Sequence, residues 1–177
     1  TFCVPLYKCK KYSFLLQQEE LNLKESRFYA YISRMKHIFR WSLMKNSQQE
    51  SLSVHTLDTA VIAHCLGLLR NRRFGGNCDV ERLVMLAMYH DCSEILTGDM
   101  PTPAKYYNES MRSNYAMIEE NATAQLLSKL PAELVPDYDD LLHADESEYK
   151  VIIKAADKLS AYIKCIEELK CNNNEFK

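Results

Sequence analysis

His90 and Asp91 lie side by side at the end of an apolar helical run and are followed by Glu94. An imidazole and a carboxylate together can hold a divalent metal ion. Glu94 comes four residues after His90, so the two side chains share one face of a helix. We therefore interpret His90 and Asp91 as metal ligands. We interpret Glu94 as the group that positions a metal-bound water and relays its proton.

Two more potential ligands occupy helices of otherwise apolar pattern. His55 opens one such helix, and Asp157 interrupts another far along the chain. A carboxylate near a core is costly unless it is paired or bound to a cation. Two imidazoles and two carboxylates suit a divalent Co, Mn, Fe, Ni or Zn ion without choosing between them. The alternatives are a hydrogen-bonded core histidine at position 55 and, for Asp157, pairing in solvent with Lys154 or Lys158.

The elements that must position these residues are helices. The chain has only 4 glycines and 5 prolines, and no stretch alternates apolar and polar residues with period two. Apolar residues recur instead with the spacing of amphipathic helices, which predicts an all-α fold. We expect Ser53 to cap the helix of His55 and Asp79 to cap the helix that ends at His90. A further helix is expected from about residue 105 to 130.

The same spacing predicts which side of each helix is buried. The expected core positions after Ser53 are Leu57, Val61, His64, Cys65, Leu68 and Leu69. Those after Asp79 are Leu83, Leu86, Ala87 and His90. The last helix, which we expect Asp145 to cap, has its core positions at Ile152, Ala155, Ala156, Leu159, Tyr162, Ile163, Ile166 and Leu169.

Bulk composition narrows the classes of function. The 177 residues suffice for one domain with a substantial core, and the net charge of -2 carries no basic signal for polymeric nucleic acid or a membrane surface. The 7 cysteines include no Cys-x-x-Cys pair, which favours free thiols in a reducing cytoplasm. No apolar run approaches the length of about 18 residues that spans a bilayer. We expect a cytoplasmic protein with neither a nucleic-acid polymer nor a membrane as partner.

The order His55, His90-Asp91, Asp157 resembles that of the HD-domain superfamily of metal-dependent phosphohydrolases. Within it the chain is most similar to the bacterial 5′-deoxynucleotidases of the YfbR type, over about residues 27–176. The motifs that carry this resemblance are Ile32-Ser-Arg-Met-Lys, Arg40-Trp-Ser-Leu-Met-Lys, Val54-His-Thr-Leu, Phe74-Gly-Gly-Asn, Leu86-Ala-Met-Tyr-His-Asp-Cys-Ser-Glu-Ile-Leu-Thr-Gly-Asp-Met-Pro-Thr-Pro-Ala-Lys-Tyr, Lys154-Ala-Ala-Asp and Tyr162-Ile-Lys-Cys-Ile-Glu-Glu-Leu.

The resemblance implies a single helical HD-domain bundle that hydrolyses deoxyribonucleoside 5′-monophosphates to deoxynucleoside and phosphate. It implies metal ligation by His55, His90, Asp91 and Asp157, catalysis by Glu94, and substrate binding by Arg40, Trp41, Asp99 and Pro101. In this scheme Arg40 binds the phosphate through two parallel hydrogen bonds. Trp41 excludes a 2′-hydroxyl or stacks on the nucleotide, and Asp99 accepts a hydrogen bond from the 3′-hydroxyl. The alternatives are hydrolysis of a nucleoside triphosphate, cyclic nucleotide or alarmone, and a non-catalytic nucleotide-binding module.

The sequence departs from the family pattern at two places. Val54 stands where the family often has a glutamate before its first metal histidine, so support of His55 by that carboxylate is expected to be absent. The family usually continues past Asn174 with another helix. We therefore expect residues 27–177 to form an HD domain without that helix, and residues 1–26 to be an extension of unknown role. The assembly that we consider for this chain is a homodimer.

Overall fold

The computed structural model describes residues 26–143 and 147–177. Within these residues the chain forms helices joined by short connections, and extended pairing is limited to one bridge between Phe39 and Ser51. The prediction of an all-α fold is confirmed. The expected extension at residues 1–26, apart from Ser26, lies outside the described residues, and so does the expected cap Asp145.

The α-helices of the described residues are numbered in chain order. They are α1 Phe28–Ile32, α2 Leu52–Phe74, α3 Val80–Tyr89, α4 Glu94–Thr97, α5 Thr102–Lys105, α6 Glu109–Leu127, α7 Val135–Leu142 and α8 Ser147–Lys170. Short 3-10 helices lie at Ser33–His37, Ala132–Leu134 and Asn174–Phe176. The long helices α2 and α8 carry the ligands that are far apart in sequence, His55 and Asp157.

Side-chain caps determine where the helices that carry the site begin. Ser51, and not the predicted Ser53, caps α2 by accepting a backbone N–H of its first turn. Asp79 caps α3 in the same way, as predicted. These hydrogen bonds satisfy donors that have no partner inside the helix. As a result His55 lies in the first turn of α2, and His90 directly follows the last residue of α3.

The helix predicted from residue 105 to 130 is two helices. α5 ends at Lys105, and Asn108 then caps α6 by accepting the backbone N–H of Met111. An asparagine side chain that bonds to nearby backbone competes with the helical hydrogen bonds and starts a new helix at this point. α6 ends at Leu127, before the predicted limit.

Small residues bring the central helices together. α2 packs against both α3 and α8, and its backbone approaches α3 so closely that a Cβ atom on Gly67 would lie 2.8 Å from Leu83 Cδ2. The core between these helices consists of Ala60, Ala63, Cys78, Leu83, Ala87, Ile152 and Ala156. A second core, reached by α1, α4 and α6, consists of Phe28, Met35, Leu52, Cys92, Ile95, Leu126, Leu127 and Leu130.

The expected core face of α2 is wrong, and that of α8 is confirmed only at Ile152 and Ala156. Val61 of α2 is 62% exposed and Tyr162 of α8 is 63% exposed. On α2 close packing selects the face with Ala60, Ala63 and Gly67, because large side chains there would hold the backbones apart. The buried line of α8 is Ile152, Ala156, Ser160, Lys164 and Glu168. The large apolar side chains of both helices form an outer face, which includes Leu57, Val61, Leu68, Leu159, Tyr162 and Ile163.

One helix in the described part of the chain, α2, is long and apolar enough to cross a membrane by length and composition alone. The sequence-based expectation did not identify this run. A single such helix is weak evidence for a membrane span, since core helices of soluble proteins pass the same test. Here α2 packs against α3 and α8 and carries buried polar residues, including His55 and Thr59.

Candidate metal centre

Three of the predicted metal ligands converge in the fold. Donor atoms of His55, His90 and Asp91 all lie within 4.8 Å of one another. Asp157 of α8 reaches the same place, with its Oδ1 3.2 Å from His55 Nε2. The helix packing therefore brings together side chains from α2, the end of α3 and α8, although the first and last are about a hundred positions apart in the sequence.

The ring of His90 is oriented for ligation. Its Nδ1 lies 2.8 Å from the backbone carbonyl oxygen of Ala87, which suits an N–H that donates to that oxygen. A neutral ring in this tautomer has its lone pair on Nε2. That nitrogen is buried without a hydrogen-bond partner in the described residues, and it lies 3.1 Å from Asp91 Oδ2. A buried acceptor nitrogen that faces a carboxylate oxygen fits a cation between them.

The ring of His55 is fully buried, and its Nδ1 has polar partners on the side away from the other ligands. Its Nδ1 lies 3.2 Å from the hydroxyl of Ser160 and 3.5 Å from Glu50 Oε1. Its Nε2 faces Asp91 and Asp157, at 3.6 and 3.2 Å from their nearest oxygens. Partners on one ring nitrogen fix the direction in which the other nitrogen presents its lone pair. This ring therefore also points into the site.

The carboxylates among the four residues favour the charged form. Burial alone raises the pKa of Asp91, but the charges of His90, His55 and Arg40 outweigh it and lower the pKa to about 2. Burial likewise opposes ionisation of Asp157, yet the hydrogen bond and charge of His55 lower its pKa. Charged carboxylate oxygens together with imidazole nitrogens form the mixed set that divalent transition ions accept. The residues present therefore fit such an ion.

Glu94, at the start of α4, has the opposite character. Burial, followed by the charges of Asp91 and Asp99, raises its pKa to about 9. Its Oε2 is buried with no hydrogen-bond partner among the described residues. A carboxyl group in this setting gains most from a nearby positive charge, and strongly shifted carboxyls of this kind are typical of functional sites. The position suits the catalytic role predicted for Glu94.

Arg40 lies at the edge of the ligand cluster. Its Nη1 is 3.5 Å from Asp91 Oδ2, its Nη2 is 3.8 Å from Asp157 Oδ1, and its Nε is 3.2 Å from Glu50 Oε1. The two η-nitrogens thus face the metal ligands while the ε-nitrogen faces away from them. Two guanidinium nitrogens on one edge of an arginine can bind two phosphate oxygens through parallel hydrogen bonds.

The other three predicted substrate residues lie in two short segments of the chain. Trp41 directly follows Arg40, and Asp99 and Pro101 lie between α4 and α5. Trp41 has a left-handed backbone, with φ of 61°, and its indole Nε1 donates to Glu50 Oε2 over 3.1 Å. Its backbone N–H lies on the side of Asp99, where burial raises the pKa of the carboxyl group and the charge of Arg40 opposes that rise. Pro101 is partly buried and precedes α5. The fold therefore brings Trp41 near Asp99 and places Pro101 two residues further along.

Three residues of this region were not predicted. Glu50 lies in a polar segment that reads as a loop, Ser160 lies in an apolar helix, and Phe176 packs on Trp41 with ring centroids 5.3 Å apart. The signal that the sequence did contain is the four-residue spacing of Ser160, Lys164 and Glu168. Such a polar line is usually a solvated face, so the spacing alone favours the wrong interpretation.

Glu50 also changes the expectation about Val54. The side chain of Val54 is 51% exposed, so this position does not support His55. A carboxylate nevertheless reaches His55, because Glu50 approaches it from the segment before α2. The sequence pattern did not reveal this contact, since Glu50 and His55 are separated by the turn into α2.

Known proteins are similar to this chain over most of its length. A profile of the family described as 5′-deoxynucleotidase YfbR-like matches residues 27–177. The 5′-deoxynucleotidase YfbR of Escherichia coli O1:K1 / APEC is 48% identical over 156 residues, which are 87% of this chain and 78% of that protein.

Solved structures share the fold. An HD-domain phosphohydrolase from Listeria innocua superposes with a TM-score of 0.75 at 26% identity, over 84% of this chain and 71% of that one. A cyanophage S-2L HD phosphohydrolase, DatZ, bound to dA and one catalytic Zn²⁺ ion, has a TM-score of 0.56 at 22% identity, over 77% of this chain and 69% of that one. The prediction of an HD-type helical bundle is confirmed. By the extent of its match and its sequence identity, this chain belongs to the YfbR-like family of 5′-deoxynucleotidases.

Proposed function

We propose that this protein is a metal-dependent phosphoric monoester hydrolase that converts deoxyribonucleoside 5′-monophosphates to deoxynucleosides and inorganic phosphate. The observation that carries the proposal is the convergence of His55, His90 and Asp91, beside Glu94, in a chain 48% identical to a curated 5′-deoxynucleotidase. The convergence supports metal-dependent hydrolysis, and the relative supports the substrate.

The metal is proposed to be a divalent Co, Mn, Fe, Ni or Zn ion held by His55, His90, Asp91 and Asp157. Bound there, such an ion supplies Lewis acidity, which withdraws charge from the phosphoryl group and makes water more acidic. The zinc reported for the cyanophage protein is consistent with a divalent ion. Metal analysis of the purified protein, followed by removal and replacement of the ion, identifies it.

Arg40 and Glu94 are the proposed reactive neighbours of the phosphate. The η-nitrogens of Arg40 bind two phosphoryl oxygens and stabilise the charge that grows on them during attack by water. Glu94 accepts the proton that this water loses. The positive charges of Arg40 and Lys105 offset only part of the rise in the pKa of Glu94 that burial, Asp91 and Asp99 cause, and a bound divalent cation would further favour the carboxylate needed for this step.

Trp41, Asp99 and Pro101 are proposed to bind the nucleoside part. The indole of Trp41 forms the wall that excludes a 2′-hydroxyl, and the carboxylate of Asp99 accepts a hydrogen bond from the 3′-hydroxyl. The nearness of the Trp41 backbone to the Asp99 carboxyl group supports this assignment. Pro101 is the last residue of the short segment that contains Asp99, directly before α5.

The test is phosphate release from deoxyribo- and ribonucleoside 5′-monophosphates with each candidate metal. We expect turnover of the deoxyribonucleotides and much weaker turnover of the ribonucleotides. Nucleoside triphosphates, cyclic nucleotides and alarmones serve as competing substrates. No phosphate release from any deoxyribonucleotide by metal-loaded protein would contradict the proposal, and faster turnover of a competing class would reassign the substrate.

We further infer that residues 27–177 form one catalytic domain, located in the cytoplasm, that associates as a homodimer. Free thiols at Cys65, Cys78, Cys92, Cys165 and Cys171 suit a reducing compartment. The exposed apolar face of α2 and α8, which includes Val61 and Tyr162, suits association with a second copy. Sedimentation of the purified protein tests the dimer, and Val61→Glu is expected to shift it towards the monomer.

A further inference from the structure

Glu50 contacts three residues of the proposed site without facing the reacting atoms. Its Oε1 lies 3.2 Å from Arg40 Nε and 3.5 Å from His55 Nδ1. Its Oε2 accepts a hydrogen bond of 3.1 Å from the indole Nε1 of Trp41. The Glu50 residue is buried, with 8% exposure. The Glu50 carboxylate thus contacts the proposed phosphate-binding Arg40, the proposed sugar-binding Trp41 and the proposed metal ligand His55.

The backbone holds Glu50 beside Arg40. The backbone N–H of Arg40 donates to the carbonyl oxygen of Glu50 over 3.0 Å, and the N–H of Leu52 donates to Ile38 over 2.8 Å. These two hydrogen bonds hold residues 38–40 beside residues 50–52 at the bridge between Phe39 and Ser51. This pairing places the two side chains on neighbouring strands of backbone, so their contact does not depend on a flexible loop.

The contact with Glu50 determines which nitrogens of Arg40 face the site. Asp91 and Asp157 lie 3.5 and 3.8 Å from the η-nitrogens and compete with Glu50 for the guanidinium. Glu50 Oε1 lies beside the ε-nitrogen at ion-pair distance, without the geometry of a hydrogen bond, and the two η-nitrogens lie towards the metal ligands. Without this charge, attraction to the ligand carboxylates would draw the guanidinium into the metal site. The phosphate would then lose its paired donors.

The contact with Glu50 also holds Trp41 in a strained conformation. A non-glycine residue in the left-handed region is strained and persists there when its surroundings hold it in place. The indole is held on one side by Glu50 and on another by the ring of Phe176. The hydrogen bond to Glu50 is directional, so it fixes the rotation of the indole as well as its position.

We propose that Glu50 is a positioning residue that, through Trp41 and Arg40, sets the preference for deoxyribonucleotides and the binding of their phosphate. This inference rests on the proposed function. Glu50 has no part in the bond-breaking step, and its effect passes through the two side chains that it holds. Its two oxygens act separately, Oε1 on the guanidinium and Oε2 on the indole, so an amide of the same shape cannot replace both.

The orientation of His55 depends less on Glu50. The hydroxyl of Ser160 lies closer to His55 Nδ1, at 3.2 Å, than Glu50 Oε1 does at 3.5 Å. Glu50 and Ser160 therefore form a matched pair of residues behind the site. A change at Ser160 is expected to weaken metal binding, while a change at Glu50 is expected to alter substrate selection.

The experiment compares Glu50→Gln with Ser160→Ala in the metal-loaded protein. For Glu50→Gln we expect the ratio of kcat/KM between a deoxyribonucleotide and its ribonucleotide to fall by about tenfold, the loss of one hydrogen bond to a charged group. Metal affinity is expected to stay near the wild-type value. Ser160→Ala is expected to show the reverse, with weaker metal binding and an unchanged ratio. An unchanged ratio in Glu50→Gln overturns the inference.

Fluorescence gives a second readout that does not depend on turnover. Trp41 is the single tryptophan of the chain, so the emission reports on its indole alone. We expect Glu50→Gln to shift this emission and to weaken its response to an added deoxyribonucleoside monophosphate. If wild-type protein releases no phosphate, the proposed hydrolysis fails, while the emission and nucleotide titrations still test the role of Glu50. An emission spectrum and response identical to wild type contradict it.

Two further variants test whether Glu50 acts through Trp41, and the second can be used if Glu50→Gln does not fold. In a Trp41→Ala background, Glu50→Gln is expected to cause no further fall in the ratio, because the residue through which it acts is gone. An equal further fall would exclude action through Trp41. If Glu50→Gln does not fold, Trp41→Phe removes the indole N–H but keeps an aromatic ring. A wild-type ratio in that variant overturns the inference.

Discussion

Two buried glutamates of this protein, Glu94 and Glu168, have opposite surroundings. Glu168 is 2% exposed and accepts hydrogen bonds from the backbone N–H groups of Ser47 and Gln48, at 2.8 and 3.2 Å, and from the side chain of Lys164. The hydrogen bond from Lys164 is the main reason that its pKa lies well below the usual range. Glu94 has an oxygen with no hydrogen-bond partner among the described residues, and burial raises its pKa to about 9.

In this fold the consequence of burying a carboxyl group depends on whether hydrogen-bond donors surround it. A carboxylate surrounded by donors holds chain segments together, and Glu168 joins residues 47–48 to the end of α8. Asn173 adds to this clamp, since its amide donates to Glu168 Oε2 over 2.8 Å and to the carbonyl oxygen of Lys45. A carboxyl group without donors, beside other carboxylates, is costly to keep and is typical of a site that does chemistry.

The largest effect is expected for Glu94→Gln. This change removes the proposed proton acceptor, so kcat should fall by about 10²–10⁴-fold. The metal ligands and Arg40 are untouched, so bound metal and nucleotide affinity should stay near wild type. Steady-state kinetics, metal analysis and nucleotide titration measure these quantities. A kcat within about threefold of wild type would show that Glu94 is a buried structural group like Glu168.

A large effect on stability, with little on turnover, is expected for Glu168→Gln. Loss of the charge leaves Lys164 buried without its ion-pair partner and weakens the clamp on residues 47–48. The melting temperature should fall by roughly 10 °C, while kcat of the folded protein changes by only a few-fold. Thermal unfolding and kinetics at low temperature separate the two. A large loss of kcat at an unchanged melting temperature would reverse the comparison.

A pH-dependent effect is expected in the metal-free protein. Because the pKa of Glu94 rises from 4.5 to about 9 on folding, the folded state keeps a proton that the unfolded chain releases. The stability contributed by this group is fully present below pH 4.5 and is lost as the pH rises towards 9. The melting temperature of wild type should therefore decline over this window more steeply than that of Glu94→Gln. Parallel declines would mean that the pKa of Glu94 is not raised.

The smallest effect is expected for a glutamate in solvent. The side chain of Glu109 is 83% exposed and lies 3.6 Å from Arg112 in a surface ion pair. Glu109→Gln should change the free energy of unfolding by less than about 0.5 kcal/mol and leave kcat unchanged. Urea denaturation and kinetics provide the check. This variant is also the control for the other two, since it makes the same chemical change without burial.

Much of the fold and of the site was predictable from residue type and spacing. Helical periodicity predicted the all-α class, and Asp79 was correctly assigned as the cap of α3. The four ligand candidates were identified because imidazoles and carboxylates are unusual in apolar helices. The break between α5 and α6 was missed, because the apolar spacing continues across it while the cap at Asn108 depends on one local hydrogen bond.

The amino-acid sequence by itself predicted the helical class and singled out His55, His90, Asp91, Glu94 and Asp157 as candidate site residues, because both follow from local residue types and spacing. The tertiary structure alone decided which faces of α2 and α8 are buried. On α2 the buried face has small residues, and on α8 it includes the polar Ser160, Lys164 and Glu168. The tertiary structure also decided that Glu50 meets Arg40, Trp41 and His55. Both outcomes depend on the shape and charge of packing partners that are distant along the chain, and no local pattern records them.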